Sequence, residues 1–172
     1  MDLWQRIQDV TVRALSSGAL IPVATRPTVI PDGGVDFVVR VASSLRRKDE
    51  ERVGRQAASG PRPNPFLPYD EALFVTDLSE THVGLLNKFN VVEHHLLIVT
   101  RDFADQRELL TAADFAALWA GLGEIDGLGF YNGGEEAGAS QPHKHLQLVP
   151  LPFASAGPRV PTESALRRGA VP

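Results

Sequence analysis

Residues 129–150, GFYNGGEEAGASQPHKHLQLVP, constrain the fold more than any other stretch of this 172-residue chain. The segment begins and ends apolar. Between its ends lie four glycines (Gly129, Gly133, Gly134, Gly138), then Ser140, Gln141 and Pro142, and then the run His143-Lys144-His145-Leu146-Gln147-Leu148. Alternation at period two is the pattern of a strand. On such a strand His143, His145, Gln147 and Val149 share one face, while Lys144, Leu146 and Leu148 point to the other. Two imidazoles and a carboxamide therefore project from one short ribbon, just after a glycine loop whose N–H groups can line an anion.

Three chemistries compete for that face. His143 and His145 at i, i+2 can both ligate zinc, but a closed site needs about four ligands. With no cysteine in the chain, His82, His94, His95 or a carboxylate would have to complete it. A structural pair of imidazoles is the second reading. The third is nucleophilic attack on phosphorus, for which an imidazole is suited because its pKa lies near 6.5. A phosphoryl centre also needs donors around its non-bridging oxygens. The loop Gly138-Ala139-Ser140-Gln141 offers backbone N–H groups and a hydroxyl, and Gln147 offers a carboxamide N–H.

Composition narrows the context. At 43% hydrophobic the chain can bury the core of one domain. Residues 1–150 read as that domain, 1–34 being its helix and lead-in, and 151–172 as a proline-rich tail with at most a short helix over 163–168. A net charge of −4 and a pI near 5.7 provide no basic field, so nucleic acid is not an expected partner. The lack of cysteine excludes disulfides and thiolate chemistry and fits a reducing compartment. No apolar run approaches the ~20 residues that span a bilayer. The amphipathic N-terminus carries Asp2, Arg6 and Asp9, unlike a signal peptide. The expectation is a cytoplasmic protein with no membrane partner.

The remaining elements follow from periodicity. Leu3, Trp4, Ile7, Val10, Ala14 and Leu15 predict a helix over 2–17 that buries Trp4 and is capped by Gly18. Pro22, Pro27, Pro31 and Gly33-Gly34 read as breaks in regular structure, and 35–41 as a strand. The polar stretch 45–60 reads either as a solvated loop or as one that brings Arg46, Arg47 or Lys48 to a phosphate. Residues 61–69 read as a proline-stiffened lid or wrap. Strands are expected over 72–75, 82–86 and 91–100, the last placing His94 and His95 on opposite faces, at least one of them structural. Asn87 and Lys88 stand at its mouth, Lys88 either as an exposed turn lysine or as a charge that meets phosphate. A helix over 111–125 has Thr111 as N-cap and Asp114 in a capping box, with Phe115, Leu118, Trp119 and Leu122 as its buried stripe. A strand over 128–132 precedes the glycine loop. Neighbouring strands with few helices make an α+β fold on a mainly antiparallel sheet with flanking helices.

Two motifs in one order carry a resemblance to a known family. Phe130-Tyr131-Asn132-Gly133-Gly134 followed by 138–147 (GASQPHKHLQ), and Leu85-Leu86-Asn87-Lys88-Phe89-Asn90-Val91-Val92-Glu93-His94 running on to 97–100 (LIVT), are similar to the diadenosine tetraphosphate phosphorylases, or ATP adenylyltransferases. These belong to the histidine-triad superfamily, in the branch with galactose-1-phosphate uridylyltransferase. The likeness covers residues 35–150. It implies a histidine-triad-like fold and a nucleotidyltransferase in which His145 attacks the α-phosphorus of diadenosine tetraphosphate. ATP is released, and inorganic phosphate then takes the adenylyl group to give ADP.

The same resemblance implies that the His143 carbonyl holds Nδ1–H of His145, so that Nε2 is exposed. Gln147 stands where the hydrolase branches carry a third histidine and would bind the α-phosphate. Asn87, Lys88, Asn132, Gly138, Ala139, Ser140 and Gln141 would contact nucleotide, and Lys48 aligns with a family lysine. No tightly bound cofactor and no resident metal are implied; a divalent cation, Mg or Mn, would arrive with the polyphosphate. Partners are adenine nucleotides, dinucleoside polyphosphates and inorganic phosphate, with a homodimer or a separate C-terminal half completing the site. Family members are considerably longer. The chain therefore also fits a nucleotide-binding half that is inactive without a C-terminal partner, or a polyphosphate hydrolase.

Overall fold

The computed structural model describes residues 1–42, 63–152 and 159–160. In chain order its elements are α1 (Leu3–Ser17), β1 (Thr25–Asp32), β2 (Val35–Ala42), a 3₁₀ turn (Glu71–Leu73), β3 (Phe74–Asp77), β4 (His82–Leu86), β5 (Leu96–Thr100), α2 (Ala112–Leu122), β6 (Gly127–Phe130) and β7 (His145–Pro150). They fall into two compact units. Met1–Pro22 with Pro63–Pro150 forms one, and the β1–β2 hairpin belongs to the other. The α+β expectation agrees with this architecture. Among the described residues no helix is long and apolar enough to cross a membrane.

In the first unit β3-β4-β5-β7-β6 is the order of a five-stranded sheet, antiparallel throughout. One face carries Leu86, Leu96, Ile98, Leu146 and Leu148. That core is supplied by α1 with Leu3, Ile7, Val10 and Ala14, and by α2 with Ala117. Burying each such aliphatic side chain is worth about 1.5–3 kcal/mol. The opposite face carries Val83, Leu85, Leu97 and Val99 beneath Phe66, with Tyr69 and Phe74 alongside. The register places His145 across from Val99 and Gln147 across from Leu97, so both side chains belong to this second face.

The helix ends are dictated locally. Asp2 caps α1 by accepting from Gln5 N–H at 2.8 Å, and Gly18 adopts φ 77° at its C-terminus, a left-handed conformation that glycine reaches without steric cost. Thr111 and Asp114 form the expected reciprocal capping box on α2.

Four expectations need correction. Residues 25–32 form a strand despite Pro27 and Pro31. The Gly33-Gly34 turn, with φ 55° and 79°, starts the β1–β2 ladder at Asp32↔Val35. Counting from that two-residue turn, Pro27 and Pro31 fall on non-hydrogen-bonded pairs, where the missing N–H faces away from the partner strand. The strand expected over 91–100 begins only at Leu96. Residues 87–95 form the turn back from β4, closed by Asn87 N–H donating to His95 O at 2.9 Å, and His94 sits at φ 58°. The two histidines are therefore not on alternating strand faces.

On α2 the buried face is Asp114, Ala117 and Gly121, whereas Phe115 and Trp119 are exposed. Asp114 must turn inward to meet its partners under the sheet. A Cβ on Gly121 would come within 2.9 Å of Leu148 Cδ2, so α2 packs tightly against β7 on that side. Finally, Trp4 is only partly buried against the core, its ring standing edge-on to His94 at 5.0 Å, and Leu15 is exposed.

Candidate active site

β7 receives its hydrogen bonds from β5 on one side and β6 on the other, but the β6 pairing stops at Phe130↔Gln147. The backbone of His145 lies beyond that point and needs another partner. Gln106 supplies it. Its Oε1 accepts from His145 N–H at 2.7 Å, and its Nε2 donates to His145 O at 3.1 Å and to Asn132 O at 2.8 Å. The side-chain amide, 1% exposed, thus continues the ladder as a peptide would. One buried carboxamide holds the histidine strand and the asparagine of the glycine loop together.

The imidazoles are set by the same accounting. His143 is fully buried. Its Nε2 donates to Thr100 O at 2.8 Å, which leaves Nδ1 to accept from Asn64 Nδ2 at 2.8 Å. With both nitrogens engaged, His143 has no lone pair left to ligate a metal or attack a substrate. Its carbonyl accepts from His145 Nδ1 at 2.8 Å. A carbonyl only accepts, so the His145 proton is on Nδ1 and Nε2 carries the lone pair. Among the described residues that Nε2 has no hydrogen-bond partner. Phe66 covers the pair, its ring 5.6 Å from His143 and 5.4 Å from His145. Burial lowers the pKa of both rings from the ordinary histidine value, which favours the neutral form of His145. Among the described residues no group of three or more His, Cys, Asp or Glu could hold a metal ion.

A family model described as the Ap4A phosphorylase N-terminal domain matches residues 1–168. The chain belongs to the Ap4A phosphorylase N-terminal domain family. It is 36% identical over 167 residues to diadenosine tetraphosphate phosphorylase 2 of Saccharomyces cerevisiae, covering 88% of this chain and 50% of the relative. It is 29% identical over 164 residues to the Protein APA1 of the same yeast, again covering 88% and 50%. Among solved structures, yeast Ap4A phosphorylase Apa2 in complex with Ap4A superposes with a TM-score of 0.74 at 32% identity, covering 89% of this chain and 53% of that one. The same enzyme in complex with AMP gives a TM-score of 0.72 at 32% identity, covering 91% and 52%. The chain thus spans about half the length of the relatives it matches.

Within this family domain the residues singled out from sequence are distributed unevenly. His145 and Gln147 share the Phe66-covered face. The backbone of Asn132 is joined to His145 through Gln106. Gly138, at φ 96°, packs where an added Cβ would lie 3.6 Å from Asn132 Nδ2, and Ala139 N–H donates to Gly134 O at 3.0 Å. Ser140 is exposed and Gln141 half-buried. Asn87 is engaged by the turn, where its Nδ2 meets His95 Nδ1 at 3.3 Å. Lys88 is exposed, with Nζ 5.9 Å from the Phe89 ring centroid. Lys48, Arg46, Arg47 and the helix expected over 163–168 lie outside the described residues.

Sequence reasoning missed Asn64, Phe66 and Gln106, and weighed His95 only as a zinc ligand or a structural histidine. The proline-rich wrap over 61–69 was the only signal for the first two. His95 has a testable consequence. Desolvation by burial lowers its pKa from 6.5 to about 4, against a smaller opposing contribution from Gln147. A depressed folded pKa on a base means that the unfolded chain takes up a proton the folded chain refuses. The stability is complete above the unfolded value and is lost as pH falls from 6.5 toward about 4, roughly 3 kcal/mol in all. Urea midpoints at about pH 7 and about pH 4.5 should converge in His95→Gln relative to wild type. Equal acid sensitivity in the two proteins would refute this.

Proposed function

We propose that this chain carries the nucleophilic site of a diadenosine tetraphosphate phosphorylase. His145 Nε2 bonds to the α-phosphorus of one adenylyl group while the bond from that phosphorus to the bridging oxygen of the β-phosphate breaks, and ATP leaves. Inorganic phosphate then attacks the same phosphorus, the phosphorus–nitrogen bond breaks, and ADP departs with neutral His145 restored. The single observation that supports this reading is the 2.8 Å contact from His145 Nδ1 to the His143 carbonyl, which fixes the proton on Nδ1 and leaves the lone pair on Nε2. Gln147, Asn132 and the 138–141 loop would supply donors to the phosphoryl oxygens. Asn87, Lys88 and Lys48 would contact the rest of the nucleotide. The relative named diadenosine tetraphosphate phosphorylase 2, and the Apa2 structures with Ap4A and AMP, support this substrate class.

The test is mass spectrometry after brief exposure to diadenosine tetraphosphate without phosphate. An acid-labile AMP adduct on His145 is expected, and added phosphate should discharge it as ADP. Free AMP plus ATP, formed independently of phosphate, would instead identify a hydrolase. Because the chain spans about half of its relatives, a second reading is also supported: nucleotide binding here, with turnover depending on residues from another segment. AMP binding without an adduct, rescued by adding that segment, would select it.

A further inference from the structure

His95 is 6% exposed and sits at the end of the turn between β4 and β5. Its protonation is settled by its neighbours. Asn87 Oδ1 accepts from Phe89 N–H at 3.3 Å, so the other end of that carboxamide, Nδ2, faces His95 Nδ1 at 3.3 Å. An amide nitrogen only donates. Nδ1 of His95 is therefore the acceptor, and the ring proton is on Nε2. Among the described residues that buried Nε2–H has no hydrogen-bond partner. A buried donor left unpaired costs about 1–3 kcal/mol, and such an exception calls for a physical explanation.

The side chain best placed to take it is Gln147. Leu97, two residues beyond His95, is the cross-strand partner of Gln147 on β5, and Phe130 is its partner on β6. The rings of Phe130 and His95 are 6.3 Å apart. Gln147 pushes the His95 pKa up against the larger effect of burial, as a nearby acceptor would. A glutamine facing an anion can present either its carbonyl oxygen or its NH₂, and only the second attracts a phosphoryl oxygen.

We propose that His95 is the positioning residue for Gln147: its Nε2–H donates to Gln147 Oε1, so that the NH₂ end of the carboxamide is aimed at a non-bridging oxygen of the substrate phosphate. The relay runs from Asn87 Nδ2–H to His95 Nδ1, from His95 Nε2–H to Gln147 Oε1, and from Gln147 Nε2–H to the phosphoryl oxygen. Asn87 then contributes through His95 as well as through the turn. This inference rests on the nucleotidyl-transfer reading of the same site.

A double-mutant cycle on the whole chain tests it, with the single-turnover rate of AMP transfer to His145 as readout. His95→Leu should slow transfer about 10- to 100-fold with the affinity for AMP little changed. His95→Gln, which keeps a donor near the Nε2 position, should restore most of the rate. In a Gln147→Ala background His95→Leu should cost nothing further, because the group it orients is gone. Additive losses, or a leucine variant as fast as wild type, would overturn the proposal. A second measurement does not depend on turnover. Nitrogen-15 NMR of histidine should show His95 protonated at Nε2, and His95→Leu should shift the Gln147 carboxamide resonances. A proton on Nδ1, or an unmoved carboxamide, refutes the relay even in a chain that transfers nothing. An absence of transfer in wild type with the relay signature intact would instead count against the catalytic reading.

Discussion

His145→Ala should lose the AMP adduct and all phosphate-dependent formation of ADP, a drop of roughly 10⁴-fold or more, while still binding AMP. The neighbouring imidazole cannot substitute. His143 is adjacent in sequence pattern, but its two nitrogens are held by Asn64 and Thr100, and what it offers His145 is a backbone carbonyl. That carbonyl survives replacement of the ring. His143→Ala should therefore be much less damaging than His145→Ala, its cost coming from a loosened fit against Phe66, Phe103 and Thr100. Adduct mass and single-turnover rates for the two variants measure the order. If the two alanine variants are equally dead, or if His143→Ala is the worse, the assignment of Nε2 of His145 as nucleophile is wrong.

The largest expected loss of stability comes from the other face of the same strand. Lys144 lies between the two histidines and points away from them, and its side chain is 2% exposed. Its Nζ donates to Asp114 Oδ2 at 3.3 Å and to Leu109 O at 3.0 Å. Asp114, equally buried, also receives His82 Nε2 at 3.0 Å and the Thr111 N–H and hydroxyl at 2.6 and 2.8 Å. Burial alone would raise the pKa of Asp114, but these donors overcome it and hold the carboxyl below the usual range. Acid should therefore weaken this link as the pH falls through the carboxylate range.

Asp114→Ala removes the acceptor that joins α2, β4 and the residue before β7, ends the reciprocal cap, and leaves the buried Lys144 charge with only the exposed Glu108 carboxylate, 3.8 Å away. Breaking a buried pair from one side costs about 3–5 kcal/mol. The double variant Asp114→Ala with Lys144→Met should lose less than the sum of the single losses, since the orphaned charge goes too. Urea unfolding midpoints decide it, and an Asp114→Ala protein within about 1 kcal/mol of wild type would show that the network is not load-carrying.

What could be read in the sequence was local or periodic. The caps at Gly18 and Thr111, the alternation that sets His145 and Gln147 against Leu146 and Leu148, and the glycine loop all depend on near neighbours or on period two. The family motifs lie in the same stretches. Misreadings arose wherever a distant partner outranked the local pattern. The apolar stripe through Phe115 and Trp119 looked like the buried face of α2, but an acid beneath the sheet has to meet Lys144 and His82, and that rotates the helix by one residue. The run from Val91 looked like a strand until the turn closing on His95 claimed its first half. Pro27 and Pro31 looked like breaks because their harmless parity is defined only once β2 is paired opposite.

The amino-acid order alone determined that an imidazole and a carboxamide would share one strand face behind a glycine loop, because side-chain alternation is a property of the backbone itself. Tertiary structure alone decided which atom of each group is available. Gln106 is 39 residues from His145 and Asn64 is 79 from His143. Hydrogen-bond donors and acceptors separated that far along the chain meet only when the sheet brings them together.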